Sequence, residues 1–320
     1  MGARTSKEEG SGGSAALAPE LMARVRRIQI KTHRLVSSVL AGAYRSTFRG
    51  TGIEFEDLRE YMPGDDVRNI DWKVTARTGD PFVKTYVEDR QLTLMFLVDT
   101  SHSMDFGSRA VTKREMAAEF CALLAYVAVF QQDQVGLCLF ADEPGLHLEP
   151  RKGNKHVQRV VREVIAAPPG GRGSSLASVL EHQARVLRRR SMVFVVSDFV
   201  DNSASDGRGG DDWSEICARL ALRHDVIAVR VTDPLEEELP AAGILTLADI
   251  ESGARVEVDT RSAAVRAHWE AEARRRRDRL TAALQKGRAE LIELSTAGNV
   301  ADPVVRYFQT RTRRRAGGRA

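Results

Sequence analysis

The sequence predicts a doubly wound α/β domain built on a mainly parallel sheet, and three observations carry that expectation. Four β-type runs, 92–98, 134–140, 192–197 and 225–231, are too uniformly apolar to be strands with one wet face. Runs with helical spacing of apolar residues, 112–130, 154–165, 176–190 and 213–223, alternate with them. An alternation of this kind demands crossover connections, hence parallel strands with helices on both faces of the sheet.

The elements follow in order. Residues 1–19 are rich in Gly, Ser, Ala and charge and are expected to be a disordered tail. In the next segment Leu21, Val25, Ile28, Leu35, Val36, Val39 and Leu40 fall at helical spacing, with Arg24, Arg27, Lys31 and Arg34 on other faces. An amphipathic helix packed on its own domain is expected there, the alternative being a helix for a membrane surface. Residues 48–90 carry many turn signals and little helical periodicity, which predicts short strands and loops, a small β-rich elaboration. Within the main domain, 146–148 is expected to add an antiparallel edge strand, and 244–248 with 255–258 a hairpin through Glu251-Ser252-Gly253. A long charged helix over 262–286, a last strand over 289–294 and a closing helix over 303–310 complete the reading. The resulting division is 1–19, 20–90, a main domain over 91–313 with the hairpin inserted, and a disordered basic tail over 314–320.

At 320 residues the chain is long enough to bury a substantial core, with 42% hydrophobic and 29% charged residues. The net charge of +4, from 48 basic and 44 acidic residues, is a small imbalance. Basic clusters at 24–34, 274–279 and 311–315 lack interleaved aromatics or any nucleic-acid-binding motif, so they read as solvated faces and nucleic acid is not an expected partner. Cys121, Cys138 and Cys217 form no CxxC pair, which points to buried thiols in a reducing compartment without a disulfide framework or zinc site. No run reaches the ~18 apolar residues of a membrane span, and a cytoplasmic location is expected.

The chemistry concentrates in 92–104, where the first apolar strand ends in Asp99, Ser101 and Ser103. Hard cations prefer carboxylate, hydroxyl and water oxygens, and the carboxyl ends of parallel strands are where α/β sheets place ligands. Two further segments complete the pattern. Gly173-Ser174-Ser175-Leu176 offers a hydroxyl at the start of a helix, and the strand 192–197 ends in Asp198. The set Asp99, Ser101, Ser103, Ser174 and Asp198 therefore predicts a metal-ion-dependent adhesion site for a divalent cation, with Mg2+ the expected ion. A cation held largely by neutral hydroxyls stays electrophilic and has reason to take a partner's carboxylate as its remaining ligand.

The stretch GTGIEFEDLREYMPGDDVRNIDWKVTARTGDPFVKTYVEDR, followed by the DTSHSM loop and the closing LIELST and PVVRYF segments, resembles domain-of-unknown-function family 58. The resemblance runs from about Arg24 to Arg313. It implies a von Willebrand factor A-like domain and, through the family's association with MoxR-type AAA+ ATPases, an adaptor that serves such a machine or its protein client. The second loop departs from the family's usual Gly-Thr-Asp-Leu: Ser174 keeps the hydroxyl, while Ser175 stands where the family has Asp. In the LREY…IDW signature, Arg59, Asp65, Asp66, Arg68, Asp71 and Trp72 are candidates for an interaction surface.

No catalytic residue is assigned. The chain has no Walker A sequence and no GxSxG elbow, so a protein-interaction module is expected rather than an enzyme. The alternatives are a metal-dependent hydrolase, for which His102 is the obvious acid or base, and a membrane-peripheral scaffold. The loop 201–212 follows the third segment and is expected to rim the same face.

Overall fold

A computed structural model of the chain describes residues 54–87, 91–170, 174–200, 213–248 and 254–317, with residues 23, 26–28, 42 and 44 of the N-terminal segment. The strands are β1 (Glu54–Glu60), β2 (Phe82–Val87), β3 (Thr93–Asp99), β4 (Gln134–Phe140), β5 (Pro144–Arg151), β6 (Met192–Ser197), β7 (Asp225–Thr232), β8 (Ile244–Ala248), β9 (Arg255–Asp259) and β10 (Glu290–Ser295). The helices are α1 (Trp72–Thr78), α2 (Lys113–Phe130), α3 (Asn154–Ala166), α4 (Leu176–Val186), α5 (Trp213–Ala221), the single turn α6 (Pro234–Glu237), α7 (Ala263–Lys286) and α8 (Ala301–Gly317).

Six strands form the central sheet in the order β10-β7-β6-β3-β4-β5. All neighbours are parallel except β4 and β5, so the expected antiparallel edge strand is present and longer than the sequence indicated. The chain enters at β3, builds outward to β5, then returns to β6 on the other side of β3 and builds outward to β10. That reversal makes the doubly wound α/β fold and leaves a crevice at the carboxyl ends of β3 and β6.

Side-chain alternation along the strands divides the core into two layers. Leu94, Phe96 and Val98 of β3 face one side with buried residues of α2, α3 and α8; Met95 and Leu97 face the other with residues of α4 and α5. Leu280 and Leu284 of α7 extend the second layer against Ala228 of β7. In the first layer Phe96, Phe120 and Phe194 form an aromatic cluster with centroids 5.5 to 6.3 Å apart. Such pairs contribute about 0.5–1.5 kcal/mol each beyond the area they bury. Helix α2 is buried along nearly its whole length. It starts on a capping box in which Thr112 and Glu115 satisfy each other's backbone N–H groups.

Most of the expected N-terminal helix, and all of residues 1–19, lie outside the described residues. Two described side chains show where that segment docks. Ile28 and Tyr44 are buried in the first core layer. The Tyr44 hydroxyl donates to Asp133 Oδ2 at 2.8 Å, and its ring meets Phe308 of α8 edge-on.

The elaboration before the sheet differs from its expectation of strands and loops alone. Strands β1 and β2 pair antiparallel, and the connection between them contains the helix α1. Asp71 caps α1 by accepting from the N–H groups of Lys73 and Val74, and Gly79 ends it in a left-handed conformation. The β8–β9 hairpin forms as expected, its connecting residues 249–253 lying outside the described set. Helix α8 starts before residue 303, where the Asn299 side chain accepts from the Asp302 N–H, and runs on to Gly317 instead of giving way to a disordered tail at 314.

Candidate metal centre

Asp99 is the last residue of β3, in register with Phe140 of β4. Strand β6 runs beside β3 with Val98 opposite Val196, which brings Ser197 and Asp198 next to Asp99. Asp99 is buried; its Oδ1 accepts from the Ser101 N–H at 2.8 Å and its Oδ2 from the Ser197 hydroxyl at 2.7 Å. The Ser101 and Ser103 hydroxyl oxygens lie 3.1 Å apart at the start of a 3₁₀ turn, His102–Asp105. His102 itself is half-buried in that turn.

The second segment is drawn in by backbone bonds. The Gly170 N–H donates to Thr100 O at 2.8 Å, and the Ser175 N–H donates to Ala141 O at 2.8 Å, so the chain on either side of Ser174 is tied to the ends of β3 and β4. Ser174 is buried, and Gly173 lies outside the described residues. Ser175 caps α4 by accepting from the Ser178 N–H, so this serine performs the local task of an N-cap.

The third segment brought a group that the sequence reading missed. Asp198 is buried, and its Oδ2 accepts from the Lys113 ammonium at 2.7 Å while its Oδ1 accepts from the Val200 N–H at 3.1 Å. Lys113 also donates to Glu236 Oε1 of α6 at 2.5 Å and has no exposed surface. The next residue, Arg114, staples the first loop: it donates to Thr100 O at 3.1 Å, to Ala167 O at 2.5 Å and to Asp105. The signal for both was the Lys-Arg pair just inside the N-terminus of a helix. There the macrodipole disfavours cations, so such residues need carboxylate or carbonyl partners elsewhere.

Burial and the charge of Asp198 push the Asp99 carboxyl up to about 6, against hydrogen bonds from Ser197 and Ser101 that favour its ionised form. Burial alone would lower the Lys113 pKa, but Asp198 and Glu236 more than reverse this and hold it above the usual lysine value. The crevice thus holds two carboxylates that repel one another and one internal ammonium that compensates part of their charge. The donor set is all oxygen, with hydroxyls from Ser101, Ser103 and Ser174, which suits a hard divalent cation and not a soft one.

The signature residues divide by task. Arg59 makes a two-pronged contact with Asp65, at 2.7 and 2.6 Å, and Asp65 also accepts from the Met62 N–H. Asp66 accepts from the Arg68 N–H at the start of a 3₁₀ turn, and Asp71 caps α1. Arg68 and Trp72 are exposed, as are Met62 and Val67, so the solvent-facing part of the signature is more apolar than its charged sequence suggested.

This is a doubly wound α/β domain with a hydroxyl- and carboxylate-lined crevice at its switch point. The chain belongs to the family described as "Protein of unknown function DUF58", whose model matches residues 57–279. A curated relative, "Uncharacterized protein Rv1480" of Mycobacterium tuberculosis, is 33% identical over 237 residues, 73% of this chain and 72% of the relative. Among solved structures, BatB from Bacteroides thetaiotaomicron is 12% identical and covers 69% of this chain and 99% of its own, with a TM-score of 0.45. The SpRpn10 VWA domain is 11% identical over 68% of this chain and 95% of its own, with a TM-score of 0.37. Among the described residues, no helix is long and apolar enough to cross a membrane.

Proposed function

We propose that the chain is a non-enzymatic, metal-dependent protein-interaction module of the von Willebrand factor A-like kind. It would hold a divalent cation, Mg2+, through Asp99, Ser101, Ser103, Ser174 and Asp198, and offer the cation's remaining position to a partner's carboxylate. The observation that carries this reading is the meeting of the first and third segments at the switch point, with Asp99 bonded to Ser197 beside Asp198. The 3.1 Å between the Ser101 and Ser103 oxygens supports it further. Neighbouring ligands of an octahedral Mg2+ with bonds of ~2.1 Å are about 3.0 Å apart. The resemblance to its family supplies the partner class, a MoxR-type AAA+ ATPase or its protein client, while the three buried free thiols support a cytoplasmic setting.

The test is a pull-down from native lysate with wild type and Asp99→Ala, each in Mg2+ and in EDTA, read by mass spectrometry. A partner lost both on mutation and on chelation is the expected result. Partners retained by a folded Asp99→Ala chain and in EDTA would overturn the reading and move attention to the exposed Met62, Val67 and Trp72 surface.

A further inference from the structure

A second cluster of metal-ligating side chains lies at the β5 edge of the sheet, and none of its members belongs to the crevice. Cys138 of β4 stands directly opposite His147 of β5 in the antiparallel register. Cys138 points into the layer formed by Met95, Leu97 and Val179, while Leu148 points into the other layer, which places His147 on the same face as Cys138. Helix α4 covers that face, and its half-buried His182 meets the His147 ring edge-on at a centroid distance of 5.7 Å. One donor atom from each of Cys138, His147 and His182 can be chosen so that all three lie within 4.8 Å of one another.

The His147 ring is unsatisfied, for both of its nitrogens are buried without a hydrogen-bond partner. Buried polar atoms nearly always have a partner, and leaving one without costs about 1–3 kcal/mol. An imidazole with both nitrogens idle here faces a second imidazole and a thiol.

We propose that Cys138, His147 and His182 form a Zn2+ site that ties the edge strand β5 to α4 and leaves the fourth tetrahedral position to water. One thiolate with two imidazoles suits this borderline-soft ion and is unsuited to Mg2+. Bonds of ~2.3 Å to sulfur and ~2.0–2.1 Å to nitrogen place tetrahedral donors about 3.3–3.6 Å apart. Closing from 4.8 Å therefore takes about 1.5 Å at most, within reach of side-chain torsions. Burial pushes the Cys138 thiol up to about 11, so the sulfur is protonated until the ion arrives. Binding then exchanges the S–H bond for a Zn–S bond and passes the proton to solvent. Burial and the neighbouring His182 hold the His147 pKa below the usual histidine value, which keeps its ring neutral and able to ligate. Two of the three ligands are histidines, one across the hairpin on β5 and one on α4, which is why cysteine spacing alone pointed away from zinc.

The full chain, stripped of metal, is titrated with Co2+ as a spectroscopic stand-in and with Zn2+ against a chromophoric chelator. Expected are the intense visible bands of tetrahedral cobalt and a thiolate-to-cobalt charge-transfer band, both removed by Zn2+. Cys138→Ser should lose the charge-transfer band. His182→Asn, at a half-buried position, should weaken Zn2+ binding at least tenfold, since a direct ligand matters no less than the outer partners whose loss costs about 10–100-fold. Asp99→Ala should leave all of this unchanged, which separates the site from the crevice. Wild type without the charge-transfer band overturns the proposal whatever the variants do, as does wild-type Zn2+ affinity in a folded His182→Asn chain.

Discussion

Asp99 carries two opposed demands. As a metal ligand it must be ionised, yet the fold buries it beside Asp198 and raises its pKa to about 6. A carboxyl whose folded pKa lies above its unfolded value near ~4 stabilises the fold fully below that value, and the contribution is lost as the pH rises through the folded pKa. In EDTA, the Asp99 contribution to wild-type stability should therefore fall between about pH 4 and above pH 6, a downward slope that His147, His156 and His224, whose folded pKa values burial lowers, oppose. Asp99→Asn keeps the shape, removes the repulsion and should not show that slope. At pH 8 in EDTA its Tm should exceed that of wild type, on the order of 5 °C. In Mg2+ the order should reverse, because only wild type gains from the ion. Thermal scans at three pH values with and without Mg2+ decide it; a variant less stable than wild type in EDTA at pH 8 would mean that the lost Ser197 and Ser101 contacts outweigh the relieved repulsion. The five proposed ligands could be named from the sequence because each follows a strand end or opens a helix, positions fixed by local pattern, and of these Asp99, Ser101, Ser103 and Asp198 lie together at the strand ends. Lys113 and Glu236 could not be, since their partnership spans separations of 85 and 123 residues and exists only once the sheet is wound.

The regular elements show the same division between what local pattern dictates and what packing adds. Strands β4 and β6 form with the bounds expected, because an unbroken apolar run bounded by polar residues has one way to be buried on both faces. Helix α1 escaped notice because it has seven residues and no buried face, so hydrophobic periodicity is silent and only its caps at Asp71 and Gly79 define it. Helix α4 shows how a cap serves the crevice. Ser175 holds its first turn, and that turn fixes where Ser174 stands. Ser175→Ala should cost about 1 kcal/mol, the usual price of a lost N-cap, and weaken Mg2+ binding by loosening the second loop. Ser175→Asp keeps the cap, places a negative charge at the positive end of the helix and beside the cation, and should bind Mg2+ more tightly than wild type. Calorimetric titration of the three chains should rank them Asp, Ser, Ala in affinity. Equal affinities would detach the second loop from the cation.

Across the whole molecule, Lys113 joins parts that the winding of the sheet keeps on different sides. It leaves α2 in the first core layer, reaches Asp198 at the end of β6, and continues to Glu236 of α6. That turn is in turn held by α7, where the Trp269 indole donates to Leu235 O at 3.0 Å and Arg276 donates to Glu236 O at 3.1 Å. Asp233 braces the same segment. Burial alone would raise its pKa, but Ser108, Thr296 and the Leu235 N–H all donate to it and hold it below the ordinary carboxylate range. One ammonium thus links the crevice to the covering layer, and it occupies the electrostatic role that a bound cation would strengthen. Removing one partner of a buried ion pair leaves the other charge uncompensated and costs about 3–5 kcal/mol. Lys113→Met, which keeps an unbranched side chain one atom shorter and without charge, should lose that much stability in EDTA at neutral pH. Because a divalent cation supplies positive charge to the same Asp198, Mg2+ should restore part of the loss and raise the variant's Tm by more than it raises that of wild type. Denaturant unfolding of both chains, with and without Mg2+, measures the four stabilities required. An equal Mg2+ increment in both would show that the cation and the ammonium do not act on a shared carboxylate, and would remove Asp198 from the metal centre while leaving its ion pair intact.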